Sequence, residues 1–432
     1  MSSPLPAPVL HTLANGVRLL AVPFPQGQSA SVGVFLRAGS RDETAASNGI
    51  GHVLEHMAFK GTQTRSVQAI NLDAERLGAD VNAFTSKDST GYFMTGLGRH
   101  APQLLEMTAD IVLNSTFPEQ ELTRELEVIR QEAIEYEEDP EDKSGELLDK
   151  AIWGGHPLGM PVIGTLENLD VFTRQHVVDH VQAHYLGGNA VVAAAGHFDV
   201  DAFFALGERL FTGMPDAASA ARGPARYVGG ALGQRFTGVS QVFLNMAWPV
   251  TPPAGQQAQD QRWRVAGSLA ALLFGGGMSA PFTDTVRERL GLAYTAHSYV
   301  ENGDGWFNFI VQAVTTPDKL DDLVDATGRL LREQAAQLDP VHVERARNQL
   351  AVSRVRAAER SYAAMERAVD DLFFLGEATA LPQTLQLIEE ITADEVRAVF
   401  ERMLAHPVAL AITGKAATAK RAKELAGRVA AR

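Results

Sequence analysis

Cysteine is absent from all 432 residues of the sequence. Its absence excludes disulfide bonds, thiol catalysis, iron–sulfur clusters and cysteine-based zinc sites, so any bound metal must be held by histidine and carboxylate side chains. Basic residues are also in deficit, because 38 Lys and Arg stand against 52 Asp and Glu, a formal net charge of −14. Such a chain lacks the basic stripe with which general nucleic-acid-binding proteins neutralise phosphates, so we expect no nucleic-acid partner.

Long apolar runs are missing as well. No run approaches the roughly 18 residues that a membrane-spanning helix needs, so we expect no membrane span. Residues 1–8 have neither the basic start nor the apolar core of a signal peptide. The sequence therefore predicts a cytoplasmic protein, and a periplasmic location is the alternative left open.

The chain contains a candidate linker near its middle. Residues 212–224 (TGMPDAASAARGP) are dense in Gly, Ala, Ser and Pro, a composition typical of interdomain segments. We predict an N-terminal domain over 1–215, a linker over 216–226 and a C-terminal domain over 227–432.

Both halves mix strand and helix patterns, and they share an internal repeat. An aromatic strand followed by a turn and a Pro-started helix occurs at 90–105 and again at 304–320, offset by about 214 residues. This order predicts two tandem homologous α+β domains, each a mainly antiparallel sheet packed with helices. Residues 17–22 and 31–36 resemble a hairpin, and 189–195 form a further apolar strand. Amphipathic helices are predicted over 101–114, 119–138, 262–273, 317–337 and 340–369.

A metal-binding motif lies within residues 51–62 (GHVLEHMAFKGT). On a helix, His52 and His56 are one turn apart on the same face, with Glu55 beside them, in the pattern His-x-x-Glu-His. Two neutral imidazoles can chelate zinc, and the carboxylate can take a proton from the attacking water. Ser47 or Asn48 is predicted to cap the helix. On the motif alone, two structural histidines in a helix are an equal alternative.

A third ligand is suggested by the Glu-rich helix over 119–138. Its predicted apolar stripe, centred near Ile129, consists of Leu122, Leu126, Ile129, Ala133 and Tyr136. Glu125 and Glu132 fall within roughly 60° of that centre, whereas most of the other acids lie on the flank or far side. Carboxylates placed in an apolar sector require a cation. Two histidines and one glutamate on zinc leave the fourth tetrahedral position open, as in catalytic sites.

A second histidine cluster imitates the motif with Asp. His176, Asp179, His180 and His184 share one helical face. The Asp side chain is one methylene shorter than Glu, and no complementary buried carboxylate lies nearby in sequence. We therefore interpret these residues as a polar helix face.

These residues make the sequence resemble the M16 zinc peptidases (pitrilysin, insulysin and the mitochondrial processing peptidase), over essentially the whole chain. His52, Glu55 and His56 match the family helix, followed by Phe-Lys-Gly-Thr at 59–62. The resemblance implies that Glu132, 76 residues beyond His56, is the third zinc ligand and that Glu125 is an auxiliary acid. These are the two acids that the helical pattern selects independently.

The resemblance also implies how substrate is bound. Asn82, Ala83, Phe84 and Thr85 resemble the family's edge strand, which pairs with a peptide backbone by β-augmentation. An ordinary strand with a polar edge is the alternative. The segment 275–294 resembles a characteristic C-terminal segment of the family. There, Arg287 would hold a substrate carbonyl and Tyr294 would donate to the developing oxyanion.

The sequence is thus interpreted as a zinc endopeptidase or oligopeptidase with one Zn²⁺ per chain, because the second repeat lacks the His-x-x-Glu-His pattern. Peptides are the expected substrates. The family's chamber has four such domains, so a homodimer, or a heterodimer with a paralogous M16 subunit, is implied. A non-catalytic assembly subunit or peptide-binding module is the alternative, although such members typically have an eroded motif.

Overall fold

The computed structural model describes residues 7–250, 252 and 261–430. The chain forms two compact units, each assembled from three stretches of sequence. The first unit combines the chain up to Ala133 with Met160–Gly223 and Val355–Gln383. The second combines Ile134–Gly159, Pro224–Arg354 and the chain from Thr384.

Each unit is built on one mixed sheet. The strands of the described residues are β1 (Val9–Thr12), β2 (Arg18–Pro23), β3 (Ser29–Leu36), β4 (Asp80–Thr85), β5 (Thr90–Leu97), β6 (Ala190–Gly196), β7 (Ala231–Arg235), β8 (Val242–Pro249), β9 (Ala293–Gly303), β10 (Trp306–Thr315) and β11 (Ala409–Gly414). The first unit's sheet has the order β1-β2-β6-β3-β5-β4, and the second has the order β7-β11-β8-β10-β9.

The two sheets repeat one topology. With β1 set aside, each sheet has five strands, and in both sheets their spatial order is first, fifth, second, fourth and third along the chain. The equivalent pairs β2 with β6 and β7 with β11 are parallel, and the other pairs are antiparallel. Strands β5 and β10 start at Thr90 and Trp306, which are 216 residues apart. The prediction of two tandem homologous α+β domains is therefore confirmed.

The predicted hairpin of 17–22 with 31–36 is wrong, although both strands exist. Strand β6 lies between β2 and β3, parallel to the first and antiparallel to the second. All of β6 is buried, and its residues alternate between two apolar clusters on opposite faces of the sheet. A strand that is apolar on both faces is best placed in the middle of a sheet, so it separates the two strands that precede it in sequence.

The α-helices of the described residues are α1 (Ile50–Ala58), α2 (Val67–Leu77), α3 (Ala101–Asn114), α4 (Glu119–Glu138), α5 (Pro140–Trp153), α6 (Leu166–Leu169), α7 (Arg174–His184), α8 (Val200–Phe211), α9 (Gln261–Gly275), α10 (Pro281–Thr283), α11 (Leu320–Ala336), α12 (Pro340–Ala358), α13 (Ser361–Phe374), α14 (Leu381–Glu390), α15 (Ala393–Leu404) and α16 (Ala419–Ala430). None of them is both long and apolar enough to cross a bilayer.

The predicted single helix over 340–369 is wrong, because the chain breaks it at Arg360, whose backbone is extended (φ −112°, ψ 122°). The two pieces belong to different cores. Helix α12 buries Val343, Ala346 and Leu350 in the core of the second unit. Helix α13 buries Met365 and its neighbours in a cluster of the first unit. The break therefore lets the chain pass from the second unit back to the first.

Each sheet has one face covered by a helix from the other half of the sequence. Helix α13 packs on the first unit's sheet against Leu20, Phe35 and Val191. Helix α5 packs on the second unit's sheet against Ala247 and Ile310. The units therefore differ from the predicted ranges 1–215 and 227–432 at the stretches that contain α13 and α5. A boundary between the units falls at Gly223, inside the predicted linker 216–226. As domain limits along the sequence, those ranges stay a prediction.

Candidate metal centre

Helix α1 belongs to the first unit and contacts α7 and β4. Its apolar residues recur at i, i+3, i+4 and i+7, and they are buried in the core: Ile50, Val53, Leu54 and Met57. This spacing defines one helical face. His52, Glu55 and His56 are only half-buried. The amphipathic pattern therefore turns the apolar face of the helix into the core and keeps the three motif side chains out of it.

The predicted cap of α1 by Ser47 or Asn48 is wrong. The helix starts after Gly49, whose backbone is left-handed (φ 99°) and which provides no side-chain cap. A Cβ at this position would lie 2.7 Å from the Cα of Gly164, so only glycine fits. The carboxylate of Glu43, from an upstream turn, accepts the hydrogen bonds of the helix start instead.

Three side chains converge on one point at α1. The Nε2 atoms of His52 and His56 lie 3.9 Å and 3.7 Å from Oε2 of Glu132. One ligand atom from each residue lies within 4.8 Å of the other two, and this is the only such group of three found among the described residues. The structure therefore brings together the three predicted metal ligands.

This cluster fits zinc. With metal–ligand bonds of about 2.0–2.1 Å, tetrahedral coordination places ligand atoms about 3.4 Å apart, so the two histidine–glutamate distances need to close by only about half an ångström. Burial, with a smaller effect from His56, lowers the pKa of His52 to about 4 and keeps its imidazole neutral, the form that binds metal. Nδ1 of His52 is buried without a hydrogen-bond partner.

Helix α4 presents two acids as the helical pattern predicted. Leu122, Ile129 and Ala133 are buried with Glu125, which is 8% exposed. The side chain of Glu132 is 35% exposed and reaches the histidines from the rim of this face. The predicted apolar stripe ends early, however, because Tyr136 is 40% exposed.

Glu125 contacts the side chain of a predicted ligand rather than the metal position. Nδ1 of His56 lies 3.1 Å from Oε2 of Glu125, a hydrogen bond that leaves Nε2 of the ring facing Glu132. The ammonium of Lys60 lies 2.7 Å from the other oxygen of Glu125. No role was predicted for Lys60, which lies one turn after His56. Carboxylates hydrogen-bonded to ligand histidines fix the ring orientation, so Glu125 has the geometry of a positioning residue.

Glu55 lies beside the cluster. Burial raises the pKa of its carboxyl group, and the hydroxyl and backbone N–H of Thr85 oppose the shift by donating hydrogen bonds to it. A carboxylate with a raised pKa is suited to accept and release a proton near neutral pH. Thr85 was predicted only as part of the substrate strand, and the structure also gives it a contact with Glu55.

The predicted substrate strand is β4, the outermost strand of its sheet. Its inner edge pairs with β5, for example Ala83 with Tyr92. Asn82 is exposed, and its Oδ1 accepts the backbone N–H of Ala83 at 2.8 Å. Phe84 packs at the margin of the cluster that α13 covers. An edge strand of this kind can accept an added strand, and peptide binding there stays a prediction.

Arg287 and Tyr294 belong to the second unit. Arg287 lies in a π-helical turn, Asp284–Arg289, a rare distortion that often occurs at functional sites. Its guanidinium lies 4.6 Å from the centre of the Tyr294 ring, and Tyr294 is 78% exposed. The structure thus brings these two residues together, and their action on a substrate stays a prediction.

Comparisons with known proteins identify the family. Residues 19–166 match the insulinase family, peptidase family M16, and residues 172–350 match the M16 inactive domain. An uncharacterised zinc protease of Rickettsia felis is 30% identical over 389 residues, covering 90% of this chain and 92% of that protein. An uncharacterised zinc protease of Mycobacterium tuberculosis is 32% identical over 417 residues, covering 94% and 93%. The chain belongs to peptidase family M16.

Solved structures share the fold. A protease from Helicobacter pylori superposes with a TM-score of 0.82 at 19% identity, covering 95% of this chain and all of that one (100%). A peptidase M16 inactive domain from Pseudomonas fluorescens gives 0.83 at 20% identity, covering 94% and 98%. At these identities the likeness concerns the fold alone.

Proposed function

We propose that this chain is a zinc-dependent endopeptidase or oligopeptidase that binds one Zn²⁺. The observation that carries the proposal is the convergence of His52, His56 and Glu132, with Glu55 on the same helix. The names of its relatives as zinc proteases support it.

In this mechanism His52, His56 and Glu132 would hold the metal, and Glu55 moves the proton. A bound zinc ion would supply Lewis acidity to the scissile carbonyl and to the attacking water. Glu55 accepts a proton from that water and passes it to the leaving amine, because its raised pKa suits both transfers. Thr85 lies beside the Glu55 carboxylate and opposes the rise in its pKa. Glu125 and Lys60 keep the ring of His56 in the orientation that points Nε2 to the metal.

The proposed substrates are peptides or small unfolded proteins. Strand β4 offers the free edge at which an extended peptide can add as a strand, with Asn82, Ala83, Phe84 and Thr85 along it. Backbone pairing makes such binding tolerant of sequence. On the family resemblance, Arg287 and Tyr294 would contact the substrate carbonyl and the oxyanion, and two chains would form a homodimer or a paralogous heterodimer.

The test is zinc content together with digestion of a library of unstructured peptides. We expect Glu55→Gln to retain zinc and lose hydrolysis, because the amide keeps the shape but cannot act as a base. Replacing His52, His56 or Glu132 by Ala should remove zinc itself. Glu127→Gln, an exposed acid on α4, is the matched control and should behave as the wild type. A zinc-loaded wild type that cleaves no peptide would favour the non-catalytic alternative.

A further inference from the structure

Glu43 is a buried carboxylate that the proposed reaction does not use. It is 4% exposed and lies seven residues before α1. One oxygen accepts the N–H of Gly49 at 2.8 Å and the amide of Asn48 at 3.0 Å, and the other accepts the N–H of Gly51 at 2.8 Å. Burial raises its pKa to about 7 despite these hydrogen bonds.

These contacts fall at the start of α1, where the backbone N–H groups are open to a carboxylate from outside the helix. The first N–H groups of a helix have no partner inside it, and the N-cap Gly49 has no side chain with which to satisfy them. The N–H of Gly51 precedes His52 by one residue. The fit is also tight, since a Cβ on Gly51 would lie 3.0 Å from the Glu43 oxygen.

The same anchor is tied to the second stretch of the first unit, Met160–Gly223. The amide of Asn48 also donates to the carbonyl of Pro161 at 2.9 Å, and Asn168 donates to the carbonyl of Asn48 at 2.9 Å. At the opposite end of α1, the hydroxyl of Ser115 donates to the carbonyl of Ala58 at 2.6 Å. Helix α1 is thus held at both ends by groups outside it.

We propose that Glu43 is a positioning residue of the metal site, which fixes the rotation of α1 and thereby the meeting point of His52 and His56. The sensitivity follows from helix geometry. At a radius of about 5–6 Å, a rotation of about 10° moves a side-chain atom by about 1 Å. Metal coordination distances tolerate only about 0.2 Å, so a small rotation separates the histidines from Glu132.

The inference rests on the proposed zinc site and is tested by zinc affinity in the full chain. Wild type, Glu43→Ala and Glu43→Gln are stripped of metal, and the dissociation constant for zinc is measured at pH 8 by competition with a chromophoric chelator. Thermal unfolding of the metal-free proteins and kcat and KM for one peptide are measured alongside. We expect Glu43→Ala to weaken zinc binding about tenfold, the lower end of the loss that follows removal of a group hydrogen-bonded to a ligand. Its kcat should fall with little change in KM. Glu43→Gln keeps one acceptor oxygen, so its zinc affinity should lie between those of the wild type and Glu43→Ala.

Asn15→Ala is the matched control for a purely structural role. Asn15 is also buried and backbone-bound, but its amide donates to Phe211 and Met214 at the end of α8 rather than to α1. We expect it to lower thermal stability while keeping wild-type zinc affinity.

Three results would overturn the inference. The first is unchanged zinc affinity in Glu43→Ala, or in Glu43→Gln if the alanine variant does not fold. The second is a loss of zinc affinity in Asn15→Ala as large as that in the Glu43 variants, since stability alone would then explain both. The third is a wild type that binds no zinc, which would overturn the proposed function as well.

Discussion

Glu125→Gln tests whether an acid that does not reach the metal position nevertheless sets the affinity for it. In the wild type, one oxygen of Glu125 accepts Nδ1–H of His56 at 3.1 Å, and the other faces the Lys60 ammonium at 2.7 Å. A glutamine cannot serve both contacts. If its carbonyl oxygen faces His56, its NH₂ group faces the ammonium, and the reverse orientation places two donors against each other at His56.

The magnitude follows from the loss of one of these contacts. Outer-shell partners of ligand histidines contribute roughly 10–100-fold to metal affinity, which corresponds to about 1.4–2.7 kcal/mol. We expect Glu125→Gln to weaken zinc binding within that range. Lys60→Met, which leaves the His56 contact in place, should weaken it less. The double variant should recover part of the loss, because without the ammonium the amide oxygen is free to face His56.

Chelator competition at one fixed pH measures all four proteins, and thermal unfolding of the metal-free forms separates affinity from stability. Wild-type zinc affinity in Glu125→Gln would refute the orienting role. A double variant weaker than both single variants would contradict the argument about the amide orientation.

Three further predictions concern stability, pH and assembly. Met365 on α13 is buried, so Met365→Ala should lower the unfolding free energy measured by denaturant titration by about 2–5 kcal/mol. Val352 is exposed, so Val352→Ala should change it by about 0.5 kcal/mol or less. Equal losses would exclude α13 from the core. Burial lowers the pKa of His180 to about 3, so the unfolded chain binds a proton below pH 6.5 that the folded chain does not. Stability that is present above pH 6.5 is therefore lost on acidification, by about 2 kcal/mol at pH 5. In His180→Asn the unfolding free energy should depend less steeply on pH over this range. An unchanged dependence would contradict the lowered pKa of His180. If each active site of a dimer is built from both chains, mixing the variants Glu55→Gln and Tyr294→Phe should restore roughly a quarter of wild-type activity. If each active site is built within one chain, mixing should restore nothing.

Much of the candidate site could be predicted because its signals are local. The one-turn spacing of His52 and His56 is a property of any α-helix. The placement of Glu125 and Glu132 follows from the apolar period of α4, whose bounds were predicted correctly. The second histidine cluster was also interpreted correctly in part, since His176 and Asp179 are exposed.

The supporting contacts could not be predicted because they join segments distant in sequence. Thr85 meets Glu55 only because β4 packs beside α1. Lys60 is close to His56 in sequence, but its partner Glu125 is on another helix. Glu43 replaces the expected caps Ser47 and Asn48 because a left-handed Gly49 turns the chain and leaves the helix start open to it.

The sequence by itself determined the tandem architecture and the candidate metal ligands. Repeated element order specifies two similar sheets, and the absence of cysteine together with the His-x-x-Glu-His pattern leaves histidine and carboxylate as the candidate ligands. Tertiary structure decided where apolar surface is covered. The central strands of both sheets, β6 and β3 in the first and β11 and β8 in the second, are buried on both faces, so each sheet needs helices on two sides. Helices α5 and α13 provide the second layer from the opposite half of the chain, a choice made by long-range packing that no local pattern in the sequence encodes.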